Sequence, residues 1–194
     1  MQGEFMKKID VTLKDVNAVY DGPEGKLWEL IMGEQIHIGG FAESMVLAQQ
    51  AEITEGQKVL DLCSALGGGL RFLVQMFKVR GFGLDGTKTM HEEAEKRAKR
   101  DGMADEIEFK LGDVTDIPWP DKTFDVVWGE DAWCYVVDKD ALISEASRVV
   151  KDGGTIAFTD WIEAPPGLSD ADAERIGRFM KFPYLENQKG YEEL

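Results

Sequence analysis

From Lys58 onward the chain switches repeatedly between two hydrophobic periods. "KVLDLC" is a short apolar run of the kind a buried strand shows, and Leu70, Leu73, Val74 and Phe77 then recur at helical spacing. "RGFGLD" reads as a second strand ending on Asp85, followed by a helix through "HEEAEKRAKR". Thr89 with Glu92 three residues on has capping-box spacing, which predicts that this helix opens at Thr89. The pairs Glu92–Lys96, Glu93–Arg97 and Glu95–Lys99 predict a solvated face, with His91 on it. "EIEFKLGD" is a third strand ending near Asp113 and "FDVVWGE" a fourth. A helix over "KDALISEASRVV" is expected to stop at "KDGG", where glycine adopts the left-handed conformation that ends helices. "TIAFTD" is then a fifth strand, ending at Asp160.

Strands alternating with helices imply parallel pairing through right-handed crossovers. The expected fold is therefore α/β: a Rossmann-like, open, mostly parallel sheet with helices on both faces. In such sheets ligands gather beyond the carboxyl ends of the strands. Asp61, Asp85, Asp113, Glu130 and Asp160 fall at or near the ends of successive predicted strands, so one sheet edge is expected to carry all five carboxylates.

The flanking segments read differently. Residues 1–52 hold glycine-rich loops ("DGPEG", "IGGF") and a helix over "AESMVLAQQAE", which predicts a lid or cap over the ligand edge. Residues 53–194 form the core of what is expected to be one domain overall, since 194 residues suit a single core. "EAPPGLSD" is a connector, and Ser169 with Asp172 caps a helix running through Met180.

Composition narrows the partners. A formal charge of −15 argues against nucleic acid or an anionic membrane surface, both polyanionic, and permits a cationic substrate. No apolar run approaches the roughly 18 residues that span a bilayer. The N-terminus lacks an apolar core followed by a cleavage site, so a cytoplasmic location is expected. Cys63 and Cys134 read as buried thiols in a reducing compartment. His37 and His91 are the only histidines, with no metal-ligand spacing, so no metal site is expected.

The turn in "DLCSALGGGLRFL" decides the cofactor class. No lysine stands where a phosphate loop needs it, and "CSALGG" is not the dinucleotide Gly-x-Gly-x-x-Gly pattern. What remains is a cofactor without phosphates, held by carboxylates on its ribose and by backbone groups. S-adenosylmethionine, a nucleoside with a sulfonium and an amino-acid tail, fits. Asp61 would orient the turn or accept from the cofactor's ammonium. Ser64, Ala65 and Gly67 would pass beside the methionine moiety. Asp85, with Gly86 and Thr87 after it, would accept the ribose hydroxyls, and Asp113 and Val114 would meet the adenine.

These residues carry a resemblance. "VLDLCSALGGGLRFL", "GFGLDGT", "LGDVTDIPWPDKTFDVVWGEDAW" and "SRVVKDGGTIAFTDW" resemble the class I S-adenosylmethionine-dependent methyltransferases. Within them, "MGEQIHIGGF" and "WGEDAWCYVVDKDAL" resemble the lid and the post-strand-four loop of the sarcosine/dimethylglycine and phosphoethanolamine N-methyltransferase branch. The resemblance spans about residues 20 to 190 and implies that Tyr20 and Trp28 close over the methionine end. It implies that Ala65, Asp85, Asp113, Val114 and Glu130 contact the cofactor, and that Gln35 and His37 face the shared cavity. Two departures stand out. Cys63 and Ala65 replace the usual first two glycines of the motif, yet cofactor binding is expected to be retained, in a shifted pose. Such domains also continue past "GYEEL" with two more strands, absent here, so a partner copy or a further C-terminal segment is expected to cover the sheet edge.

The expected activity is methyl transfer to a small-molecule acceptor, an amine or N-methylated amino acid. The alternatives are a carbon or oxygen acceptor, or a protein that binds S-adenosylmethionine without transferring its methyl. An amine acceptor must lose a proton, which makes His37 and Glu130 candidate bases and Tyr135 a candidate orienting hydroxyl. Trp133 and Trp161 are candidate aromatic walls for a methylated ammonium, whereas Trp128, inside the fourth strand, reads as core.

Overall fold

The computed structural model describes residues 8–194. Five strands, β1 (Lys58–Leu62), β2 (Arg80–Asp85), β3 (Ile107–Leu111), β4 (Phe124–Glu130) and β5 (Val150–Thr159), form one sheet in the order β3-β2-β1-β4-β5. Every pairing is parallel. The order reverses at β1, whose two neighbours are β2 and β4, so the crevice beyond its carboxyl end is the switch point where such sheets bind ligands. The helices are α1 (Leu13–Tyr20), α2 (Pro23–Met32), α3 (Gly40–Gln50), α4 (Gly68–Phe77), α5 (Lys88–Arg100), α6 (Lys139–Val149), α7 (Asp170–Met180) and α8 (Gln188–Glu193).

Strand alternation divides the core between two faces. Val59, Val126 and Trp128 pack with Leu70, Leu73 and Val74 of α4 and with Leu47 and Ala48 of α3. Leu60, Leu62 and Val127 point the other way, onto Leu142 and Ala146 of α6 and onto Trp133. Burial of each such side chain stabilises by about 1.5–3 kcal/mol, which accounts for the near-continuous apolar character of β1 and β4. Because α3 contributes to the first core, the N-terminal segment is part of the packed body.

Three local expectations change. The helix after β2 begins at Lys88 with Thr87 as its N-cap, not at Thr89, because the Thr87 N–H is taken by Asp85 and the turn closes two residues earlier. "KDGG" does not separate helix from strand. Helix α6 passes directly into β5 at Val150, and residues 151–154 fill the register irregularity between the Phe124–Val150 and Val126–Thr155 pairs. His91 is not on the solvated face. Its side chain is 16% exposed and its Nδ1 is buried without a partner among the described residues, because at i, i+3, i+7 spacing it shares a helix face with the buried Ala94 and Ala98.

The cofactor-type turn between β1 and α4 passes through the left-handed region at Cys63 (φ 62°), Ala65 (φ 45°) and Gly67 (φ 65°). Only the last is glycine. A side-chain-bearing residue costs on the order of 1–2 kcal/mol there. Ala65→Gly is therefore expected to stabilise the fold by about 1 kcal/mol after the added freedom of the unfolded glycine is subtracted, as read by chemical denaturation. A loss of stability would show that the Ala65 methyl is needed for packing. Beside this turn, the Phe109 ring of β3 fills the space at two glycines. A Cβ at Gly67 would come within 2.6 Å of it, and one at Gly83 within 2.5 Å.

Candidate functional site

A cleft of about 260 Å³ opens at the carboxyl ends of β1, β2 and β4. It is lined by Asp61, Ser64, Ala65, Asp85, Gly86, Thr87, Asp113, Val114 and Glu130 from the sheet side, by Tyr20 and Gln35 from the N-terminal segment, and by Tyr135 from the turn after β4. Three of the residues assigned from the sequence to the cofactor or to catalysis are not in that lining. Trp28 is half-buried on α2, Gly67 serves as N-cap of α4, and His37 sits behind the wall. Four of the five strand-end carboxylates meet in the cleft. The fifth, Asp160, lies under α8, where it accepts from the Tyr191 hydroxyl and from the Cys134 N–H at 3.0 Å.

Local structure explains each placement. The turn is stitched to the end of β2 by Cys63 and Ser64 N–H groups donating to the Leu84 carbonyl at 2.8 and 3.2 Å. Asp85 then accepts the Ala65 N–H at 2.8 Å on one oxygen and the Thr87 N–H at 2.7 Å on the other. A carboxylate has about four acceptor sites, so both oxygens keep capacity toward the cleft. Asp61 accepts no hydrogen bond among the described residues, although it is only 5% exposed. Burial, then the Glu130 and Asp85 charges, push its carboxyl well above the ordinary 3.8. Burial also raises Asp85, against the pull of its two backbone donors. A cationic ligand relieves that arrangement, and a ribose diol supplies the missing donors to Asp85. The donor set fits a sulfonium nucleoside.

These two shifts set a pH dependence. A carboxyl whose folded pKa is raised contributes stability below its unfolded pKa and loses it as pH rises through the folded value. The ligand-free protein is thus expected to melt higher at about pH 5 than at pH 8. The carboxylates whose pKa is lowered by ion pairs, Glu34, Asp101 and Glu145, surrender their contribution only below the ordinary carboxylate range. A cationic ligand needs the ionised forms, so its affinity should rise from about pH 5 to pH 8, opposite to the melt. Melting and calorimetry across that range check both slopes.

At the covered end, the Tyr20 and Tyr135 hydroxyls lie 3.0 Å apart with their rings edge to face. Burial pushes Tyr20 up to about 12 and Tyr135 up as well, so both stay protonated at neutral pH and act as hydrogen-bond groups rather than bases. Glu130 closes β4 and accepts the Ser44 hydroxyl at 2.5 Å. His37, 3% exposed, has Nε2 at 3.3 Å from Glu130 and 3.2 Å from Ser44, and Nδ1 at 3.0 Å from the Ile38 carbonyl. Both ring nitrogens are thereby occupied by protein groups. Trp133 is fully buried and stacked on Phe158 at 4.2 Å, and Trp161 lies away from the cleft, 5.9 Å from Phe182, so neither forms an aromatic wall.

Of the face that α1 presents, sequence reasoning named Tyr20 and missed Leu13, Val16 and Asn17. Leu13, Val16 and Tyr20 line the cleft, and Asn17 donates to the Gly86 carbonyl at 3.4 Å and accepts from the Thr87 hydroxyl at 2.8 Å. The i, i+3, i+7 spacing of the three lining residues was the available signal.

A family model described as "Methyltransferase domain" matches residues 60–158, which run from β1 into β5 and contain the turn and every strand end of the cleft. The chain belongs to the class I S-adenosylmethionine-dependent methyltransferases. Among relatives of this methyltransferase, phosphoethanolamine N-methyltransferase 3 of Arabidopsis thaliana is 31% identical over 71% of this chain and 28% of its own length. Sarcosine/dimethylglycine N-methyltransferase of Aphanothece halophytica is 28% identical over 88% of this chain and 68% of its own. O- and C-methyltransferases are related at similar levels. The structure of Haemonchus contortus phosphoethanolamine N-methyltransferase 2 with phosphomonomethylethanolamine and S-adenosylhomocysteine superposes with a TM-score of 0.86 at 24% identity, covering 94% of this chain and 43% of that one. The chain spans less than half the length of the plant relatives it matches. The resemblance drawn from the turn and strand motifs is thus the family relationship itself, and a second Haemonchus contortus structure of that enzyme, 24% identical with a TM-score of 0.83, holds S-adenosyl-L-methionine. Among the described residues no helix is long and apolar enough to cross a membrane.

Proposed function

We propose that the methyltransferase holds S-adenosylmethionine in the β1–β2–β4 cleft and methylates a small amine presented beneath the N-terminal cover. The observation that carries this reading is Asp61, a buried carboxylate on the wall of the cleft that accepts no hydrogen bond among the described residues. Asp61 is assigned to the cofactor's ammonium, Asp85 to its ribose hydroxyls, and Asp113 with the Val114 backbone to its adenine. Ser64, Ala65, Gly86 and Thr87 supply close backbone approach. Trp28 and Gly67 act indirectly, through α2 and the start of α4.

The bound cofactor supplies an electrophilic methyl on sulfur, and this chain's residues place the acceptor in line with it and keep water out. Acidic side chains dominate the polar lining, with Asp131 and Asp138 added at the Tyr135 side, and they favour a cationic or proton-shedding acceptor. Tyr20 and Tyr135 orient the acceptor nitrogen. Glu130, steadied by Ser44 and His37, takes its proton, so His37 acts through Glu130 rather than on the acceptor.

Calorimetry with S-adenosylmethionine and S-adenosylhomocysteine, followed by turnover across amines, phenols and carbon acids, tests the reading. Binding with turnover confined to amines is the expected result. Turnover confined to phenols or carbon acids replaces the acceptor class, binding without turnover makes the chain a cofactor-binding protein only, and no binding removes the proposal.

A further inference from the structure

The cover and the cofactor turn meet at one buried side chain. Arg71 on α4 is 6% exposed. Its Nη1 donates to the Leu66 carbonyl at 2.6 Å, its Nη2 donates to the Glu34 carboxylate, and its Nε lies 3.0 Å from the Asp101 carboxylate. Leu66 follows Ala65, which lines the cleft from the turn. Glu34 precedes Gln35 and Ile36, which line it from the opposite side. The two backbones are also in direct contact, since a Cβ at Gly68 would come within 2.6 Å of the Glu34 carbonyl oxygen.

The segment so held follows a constrained path. Ile36, a β-branched residue, has φ 51°, a conformation that persists only where surrounding contacts impose it. Arg100 reaches Glu34 at 2.9 and 3.3 Å and Arg97 approaches it at 3.5 Å, yet neither bonds the turn. Arg71 alone among the three spans both.

The geometry points to Arg71 as a positioning residue that makes seating of the cofactor on the Ser64–Ala65 turn and seating of the Glu34–Ile36 cover a single event. The inference rests on the reading that the cleft holds S-adenosylmethionine. A planar guanidinium offers donors in fixed, divergent directions and serves the Leu66 carbonyl and two carboxylates at once. A lysine ammonium in the same place is one point charge on a flexible stem and cannot reproduce the fork. Loosening Arg71 frees the cover, so the turn grips the cofactor without its opposite wall, and the loss should fall on dissociation rather than association.

The experiment measures the Kd and dissociation rate of S-adenosylhomocysteine for the wild-type chain, Arg71→Lys, Glu34→Gln, their double variant and Arg100→Gln, with a thermal melt of each. Arg71→Lys and Glu34→Gln are each expected to weaken binding by about tenfold, a fold-change within the usual range of coupling between sites. The double variant should bind no worse than either single variant, and Arg100→Gln should stay close to wild type. Equal binding by Glu34→Gln and wild type, additive losses in the double variant, or an equal loss in Arg100→Gln would each overturn the inference. If Arg71→Lys does not fold, Glu34→Gln against Arg100→Gln decides it, because Glu34 is partly exposed and Arg100 touches the cover without the turn. Failure of the underlying reading is separate: the wild-type chain itself would then give no binding heat.

Discussion

Asp85→Ala is expected to weaken S-adenosylmethionine binding by about 3 kcal/mol, roughly a hundredfold in Kd. Two effects add. The carboxylate's free acceptor sites face the cleft, where a ribose offers two hydroxyl donors, and hydrogen bonds to a charged acceptor contribute about 1.5–3 kcal/mol each. The same carboxylate pins the turn through the Ala65 and Thr87 N–H groups, which would otherwise be left partly buried without a partner. Removing it therefore takes away a ligand contact and slackens the loop that makes the others. Stability should change less than affinity, since the loss of those two turn bonds is offset by removing a carboxylate whose charge burial disfavours in the empty protein. Calorimetry and melting on one sample separate the two. Unchanged Kd would remove Asp85 from the ribose.

Trp133→Ala should destabilise the fold by about 3–5 kcal/mol, the usual range for removing a fully buried aromatic. The indole stacks on Phe158 at 4.2 Å with planes 19° apart and packs among Leu60, Leu62, Phe124 and Leu142, so its loss leaves a cavity between β4, β5 and α6. Its Nε1 has no hydrogen-bond partner. Trp133→Phe forfeits less volume and no bonded polar group, and should cost about half as much. Denaturant titration reads both values. A Trp133→Ala variant of normal stability that had lost only acceptor binding would restore the cage role considered from the sequence.

The strands and the edge they share were legible because both depend on local pattern. A buried parallel strand shows as an apolar run, and a carboxylate at its end shows as one polar letter, so Asp61, Asp85, Asp113 and Glu130 could be placed without coordinates. What escaped depends on contacts between distant segments. Asp160 has the same local signature but is capped by Tyr191, some thirty positions away in sequence and adjacent in space. His37 reads as a free base until Ser44, Glu130 and the Ile38 carbonyl are seen around its ring. Trp133 follows a strand end and reads as loop, yet a short helical turn over Trp133–Tyr135 sends its ring inward and leaves Tyr135 facing the cleft. The strain at Cys63 and Ala65 had a visible cue, two non-glycines at glycine positions, but its sign required the φ angles.

The ring of Phe109 occupies what would be the Cβ positions of both Gly67 and Gly83. Those three sites are consequently not free to vary one at a time. An alanine at either glycine demands a smaller residue at 109, and a smaller residue at 109 leaves a void that a methyl on the turn or on β2 would fill. Among relatives, the three positions should drift together: bulk that leaves the third strand ought to reappear on its neighbours.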